Sequence, residues 1–199
     1  MTRLSYALLT LFAAELFACL FIAVAWFDPA PRLLWNASAS APTGLYRLHP
    51  NMPVSIGDWV AIMPPPGLAR FMAERHYLPV GVPLLKRVGA LPGQRVCRHG
   101  ALVTIDGQAV ATALPHDRRG RPLASWQGCS TVPANALFLL NPAPDSFDSR
   151  YYGAVPISGL QGVAMPVLTR DAEDQALTWR GVGALPVVPS PHKEQAPCR

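Results

Sequence analysis

Lysine is almost missing from this chain: Lys86 and Lys193 stand against fifteen arginines. Charged residues are sparse, at 15%, and the net charge of +5 comes from arginines scattered along the sequence. They form no basic stripe interleaved with aromatics, which argues against a nucleic-acid partner. Cysteine is scarce as well. Of four, Cys19 lies in an apolar run and Cys198 near the C-terminus, while Cys97 and Cys129 share the middle of the chain. A disulfide between those two and a pair of separate buried thiols both fit the pattern. There is no C-x-x-C and no histidine cluster, so no metal or other cofactor is expected. No internal repeat is present.

What the chain does have is a long apolar run. Leu4 to Phe27 is 24 residues, interrupted only by small polar residues and Glu15, and a helix needs ~20 to cross a bilayer. Arg3 precedes it, which keeps the N-terminus cytoplasmic and exports the rest. A cleaved signal peptide is the alternative, with Ala23-Val24-Ala25 as the cut. The run exceeds the roughly 7–15 apolar residues of a signal sequence, so a retained single-pass anchor in the inner membrane is expected. Glu15 within the span is costly and marks either a helix partner or a functional site.

Asp28-Pro29-Ala30-Pro31 then ends the helix, because proline cannot continue it. From there to about residue 170 short apolar runs alternate with Gly, Pro and Asn, as in Trp59–Met63, Ala101–Ile105 and Ala136–Leu140. Asp106-Gly107 between Val103–Ile105 and Gln108–Val110 signals a hairpin. One short helix is predicted around Leu68–Arg75, after Pro64-Pro65-Pro66-Gly67. The expected fold is mainly β, with one N-terminal transmembrane helix and a short helical insert. The expected organisation is an anchor over 1–27, a periplasmic domain over 28–170 and a Pro-rich, disordered tail over 171–199.

Lys86 sits in the apolar run Pro83-Leu84-Leu85-Lys86-Arg87-Val88. A lysine kept from water can lose its proton near neutral pH, which an arginine never does; a strand lysine can instead snorkel to solvent. The segment Asn36-Ala37-Ser38-Ala39-Ser40-Ala41-Pro42 begins about nine residues beyond the apolar run, a tether of roughly 30 Å at most. Small neighbours around Ser40 leave room for an extended peptide. A serine nucleophile needs a base, and Ser-Lys pairs are one known solution.

Four segments occur in order: the Ser40 segment, Gly57-Asp58-Trp59-Val60, Lys86-Arg87-Val88, and Ser146-Phe147-Asp148-Ser149-Arg150-Tyr151-Tyr152-Gly153. Together they resemble the boxes of the signal peptidase family of Ser-Lys proteases. Asn-x-Ser-x-Ser-x-Pro-x-Gly-Leu-Tyr, with the insert from Pro64 to Gly81, resembles the TraF type of conjugative transfer systems. The similarity spans residue 1 to about 168.

That resemblance implies a β catalytic domain with an extended-substrate groove, in which Ser40 is the nucleophile and Lys86 its general base. Ser38 corresponds to a hydroxyl that assists the oxyanion hole, an ordinary turn hydroxyl being the alternative. Ser146 corresponds to a serine that orients the amine. Asp148 matches an acidic third catalytic member, or serves structurally as the ion-pair partner of Arg150; Asp145 and Arg150 are expected to hold the fold. The implied function is membrane-anchored processing of a pilin-like precursor for conjugation, with cyclisation as one way to resolve the acyl-enzyme. The alternatives are a general leader peptidase acting on exported preproteins and a non-catalytic envelope scaffold. Implied partners are the precursor, the inner membrane and other mating-pore components. Two departures stand out: Ala41 replaces the usual methionine after the nucleophile, and Gln94 replaces an aspartate after the lysine box. His49, His76, His99, His116 and His192 match no box, although sequence order alone leaves a Ser-His-Asp triad open.

Overall fold

The computed structural model describes residues 2–27, 32–172 and 174–181. The chain divides into two compact units, an N-terminal helix and a β domain that begins at Arg32. Helix α1 spans Arg3–Phe27, 25 residues without a proline or glycine and rich in Ala and Leu, the strongest helix formers. None of its residues is buried and the mean hydropathy of its most apolar stretch is 2.4, so it has the length and composition to cross a membrane. The expected helix terminator, Asp28–Pro31, lies outside the described residues.

The β domain contains twelve strands among the described residues: β1 Leu33–Asn36, β2 Thr43–His49, β3 Trp59–Ile62, β4 Leu84–Ala90, β5 Arg95–His99, β6 Leu102–Ile105, β7 Gln108–Thr112, β8 Gly128–Thr131, β9 Ala136–Leu140, β10 Val155–Pro156, β11 Leu160–Arg170 and β12 Thr178–Trp179. Short helices α2 (Pro66–Glu74) and α3 (Ser149–Tyr152) complete it. The larger sheet runs β1-β2-β11-β3-β4-β9-β10, with β12 added on β11, and the smaller runs β7-β6-β5-β8. The mainly β architecture with an N-terminal apolar helix is the one expected. The sheet continues to Trp179, beyond the boundary expected at 170, because Thr178 and Trp179 pair with Thr169 and Leu168. The rest of the expected tail, 182–199, lies outside the described residues.

Local chemistry accounts for several of these elements. Asp106 and Gly107 both have positive φ, at 50° and 84°, as a two-residue turn between β6 and β7 requires. Pro66 opens α2 at its first position, where a missing N–H costs nothing. Strand β9, Ala-Leu-Phe-Leu-Leu, is buried on both faces: Leu137 and Leu139 enter one core with Val60, Ile62 and Val88, while Phe138 enters a second with Val96 and Val103. That double burial explains its unbroken apolar run. Gly44 is demanded by close packing, since a Cβ there would lie 2.1 Å from the Leu168 carbonyl oxygen on β11.

Candidate active site

Ser40 lies in the turn between β1 and β2, and Asn36 builds that turn. The buried Asn36 amide donates to the carbonyls of Ser38 and Pro42 at 2.9 and 3.0 Å, while its Oδ1 accepts from Ser38 N at 3.0 Å. Tyr46 Oη donates to Pro42 O at 2.7 Å from below. Ala41 is buried, at 6% exposure, so the small side chain that departs from the family pattern packs inward. Ser40 Oγ stands 3.0 Å from Ser38 Oγ, which also accepts from Ser40 N at 3.4 Å. The Ser38 hydroxyl, expected to assist an oxyanion hole, therefore lies beside both the hydroxyl and the backbone amide of Ser40.

Lys86 is near the middle of β4, opposite Val60 of β3, and is only 5% exposed. It does not snorkel: Nζ donates to Ser146 Oγ at 2.8 Å inside the domain. Burial lowers its pKa from 10.5 to about 8; the Asp148 charge pulls the other way, and the Arg150 charge adds to the lowering. The Gly57–Val60 box brackets this strand, with Gly57 N donating to Val88 O and Val88 N to Asp58 O, both at 2.8 Å. Gln94, standing where an aspartate was expected, accepts from Leu91 N and hands its amide to Asp106 Oδ2, both at 2.8 Å. Asp106 also accepts from Arg95 N through Oδ1 at 2.9 Å.

Asp148 is fully buried and forms a two-pronged ion pair with Arg150, Nε to Oδ1 and Nη2 to Oδ2, each 2.8 Å. Oδ1 also accepts from Arg150 N at 3.2 Å, capping α3, and Oδ2 accepts from Asn141 N at 3.0 Å. Both oxygens are thus engaged by groups that shape the 141–150 loop, and the effect of Asp148 on Lys86 is through its charge. Arg150 continues to the carbonyls of Asn141 and Pro144, at 2.8 and 2.9 Å. Asp145 was expected to hold the fold. It forms an ion pair with Arg118, whose side chain is 78% exposed, and an exposed pair adds little to stability. Cys97 and Cys129 face each other across β5 and β8 and are joined by a disulfide; Cys198 lies outside the described residues.

Ser38, Ser40, Lys86 and Ser146 open on one cleft of about 700 Å³, with Met72 of α2 and Leu84 of β4 in its walls. No direct hydrogen bond joins Ser40 to Lys86: Ser146 engages the amine, while Ser38 and Asn141 engage the hydroxyl. Contacts of this kind commonly tighten only once substrate is bound. Phe147, between two site residues, stacks on Phe71 of α2 and Tyr151 of α3 at centroid distances of 5.6 and 5.5 Å, so the insert buttresses the Ser146–Arg150 segment. His76 also lines the cleft, but among the described residues no histidine is hydrogen-bonded to Ser40.

One site residue escaped sequence reasoning. Asn141 is 4% exposed and donates from Nδ2 to Ser40 O and Ser40 Oγ at 2.9 and 3.2 Å. Its only sequence signal is a polar residue closing the apolar strand β9 before Pro142, a common strand end.

The β domain thus brings a serine-bearing turn and a buried amine to one cleft of about 700 Å³. Residues 3–168 match the family described as signal peptidase, peptidase S26, and the chain belongs to that family. A probable conjugal transfer protein TraF of Sinorhizobium fredii is 40% identical over 159 residues, covering 74% of this chain and 81% of the relative. The conjugal transfer protein TraF of Agrobacterium fabrum is 41% identical over 148 residues, covering 68% and 82%. A plasmid transfer protein TraF of Escherichia coli is 35% identical over 149 residues, covering 67% and 81%. A signal peptidase I structure from Enterococcus faecalis aligns with a TM-score of 0.34 at 22% identity, covering 56% of this chain and 97% of that one.

Proposed function

We propose that this peptidase is a membrane-anchored serine endopeptidase that processes a pilin-like precursor for conjugative transfer, with Ser40 as nucleophile and Lys86 as general base. The observation that carries the reading is Lys86 itself, a buried amine with a pKa of about 8, opening on the same cleft as Ser40. Ser40 Oγ attacks the scissile carbonyl, its proton passes to neutral Lys86, and Lys86 returns a proton to the leaving amine. Ser40 N–H and the Ser38 hydroxyl receive the oxyanion; one such donor is worth about 3 kcal/mol. Ser146 aims the amine, and the Asp148–Arg150 pair holds the loop that carries Ser146. With α1 retained and the N-terminus cytoplasmic, the catalytic domain faces the periplasm. The names of the TraF relatives support conjugation as the setting.

The acyl-enzyme has two exits. Water gives a shortened linear product; the substrate's own amino terminus gives a ring with one water fewer. Coexpression with candidate pilin-like precursors, with the products weighed, separates these and tests the dyad. Cleavage should vanish in Ser40→Ala and in Lys86→Ala, and undiminished cleavage in Lys86→Ala would remove the amine from the mechanism. Cleavage of many unrelated preproteins would favour the general leader peptidase.

A further inference from the structure

Every polar atom of Asn141 is committed to a member of the site. Its backbone N–H donates to Asp148 Oδ2 at 3.0 Å, and its carbonyl accepts from the Arg150 guanidinium at 2.8 Å. Its Oδ1 accepts from Arg87 N at 3.1 Å, and its Nδ2 donates to Ser40 O at 2.9 Å, Ser40 Oγ at 3.2 Å and, more weakly, Leu85 O at 3.4 Å. The side chain therefore grips β4 on both sides of Lys86 while it holds the turn that bears Ser40. A chain separation of 101 residues between Ser40 and Asn141 is closed by these contacts.

The chemistry of the amide matters as much as its place. A donor to Ser40 Oγ occupies one oxygen lone pair and leaves the serine's single hydrogen free to be given away. A carboxylate of the same shape could still accept from Arg87 N, but it would turn an oxygen toward the oxygens of Ser40 and Leu85. We propose that Asn141 is a positioning residue for the reaction, setting the separation and rotamer at which the Ser40 hydrogen reaches Lys86. The proposal rests on the Ser-Lys reading above.

The test uses the full chain in detergent micelles with p-nitrophenyl acetate. Acyl transfer forms the Ser40 Oγ–acyl bond, breaks the aryl ester bond with release of p-nitrophenolate, and sends the serine proton to Lys86. The native chain should give a burst that Ser40→Ala and Lys86→Ala abolish. Asn141→Ala and Asn141→Asp should slow the burst about 100-fold, the scale of a small misplacement of reacting atoms, with half-saturation unchanged. Asn141→Asp alone should also move the pH midpoint of the burst upward, because an added carboxylate beside β4 favours the ammonium form of Lys86. Heat denaturation scores folding, and if Asn141→Ala does not fold, Asn141→Asp decides. Native burst rate and pH midpoint in the folded variants would overturn the proposal, and so would failure of both variants to fold, which assigns Asn141 to the fold alone. No burst in the native chain, or a burst surviving Ser40→Ala, counts against the Ser-Lys reading itself.

Discussion

On β4 the side chains of Leu84, Leu85, Lys86 and Val88 are all buried, so the amine at 86 is largely withdrawn from water and meets a hydroxyl instead. Its pKa of about 8 lies below the ordinary 10.5. Between those values the unfolded chain holds a proton that the folded chain lacks, so the Lys86 penalty on stability is fully present below about pH 8. It is relieved as pH rises toward 10.5. Replacing Lys86 by Met should therefore stabilise the chain by about 3 kcal/mol at pH 7 while ending cleavage. The gain in melting midpoint should disappear above pH 10.5. Cleavage by the native chain should rise with pH through about 8, and because the chain has two lysines, a titration with ¹³C-labelled lysine yields two signals, one of them with that midpoint. A single midpoint near 10.5 for both would contradict the burial of Lys86.

The loop from Asn141 to Arg150, with α3 behind it, acts as one element. The Asp148–Arg150 pairing was readable in the sequence because it is local: the two are two residues apart, and Asp148 caps the short helix that carries Arg150. Asn141 was not, since its side-chain partners are 54, 56 and 101 residues away and nothing in its neighbourhood announces them. Asp145 neighbours the box, but its ion-pair partner Arg118 is 27 residues away, and both residues line the cleft. Asp148→Asn should cost about 3–5 kcal/mol in urea denaturation, because it strands the buried Arg150 charge. It should also lower the Lys86 pKa further, since Asp148 is the group that raises it, and move the pH–rate midpoint down. A loss of activity with an unmoved midpoint would point to direct proton transfer by Asp148 instead.

Taken whole, the molecule is one apolar helix and one β domain with three buried apolar clusters among the described residues, two of which receive side chains from β9. Retention of the helix has a direct check: the chain should remain in the membrane fraction after alkaline carbonate washing, with an intact mass that still includes residues 1–27. A mature form beginning near Trp26 would make the helix a cleaved signal. By itself the sequence determined the apolar span, the β6–β7 hairpin and the order of the boxes. These depend on residue type and spacing within a few positions, where steric and hydrophobic preferences act alone. Only the tertiary structure decided that Lys86 is buried against Ser146, that Cys97 meets Cys129, and that Asn141 ties Ser40 to β4. Burial and cross-strand register arise from many weak contacts between distant segments, and no local pattern carries that sum.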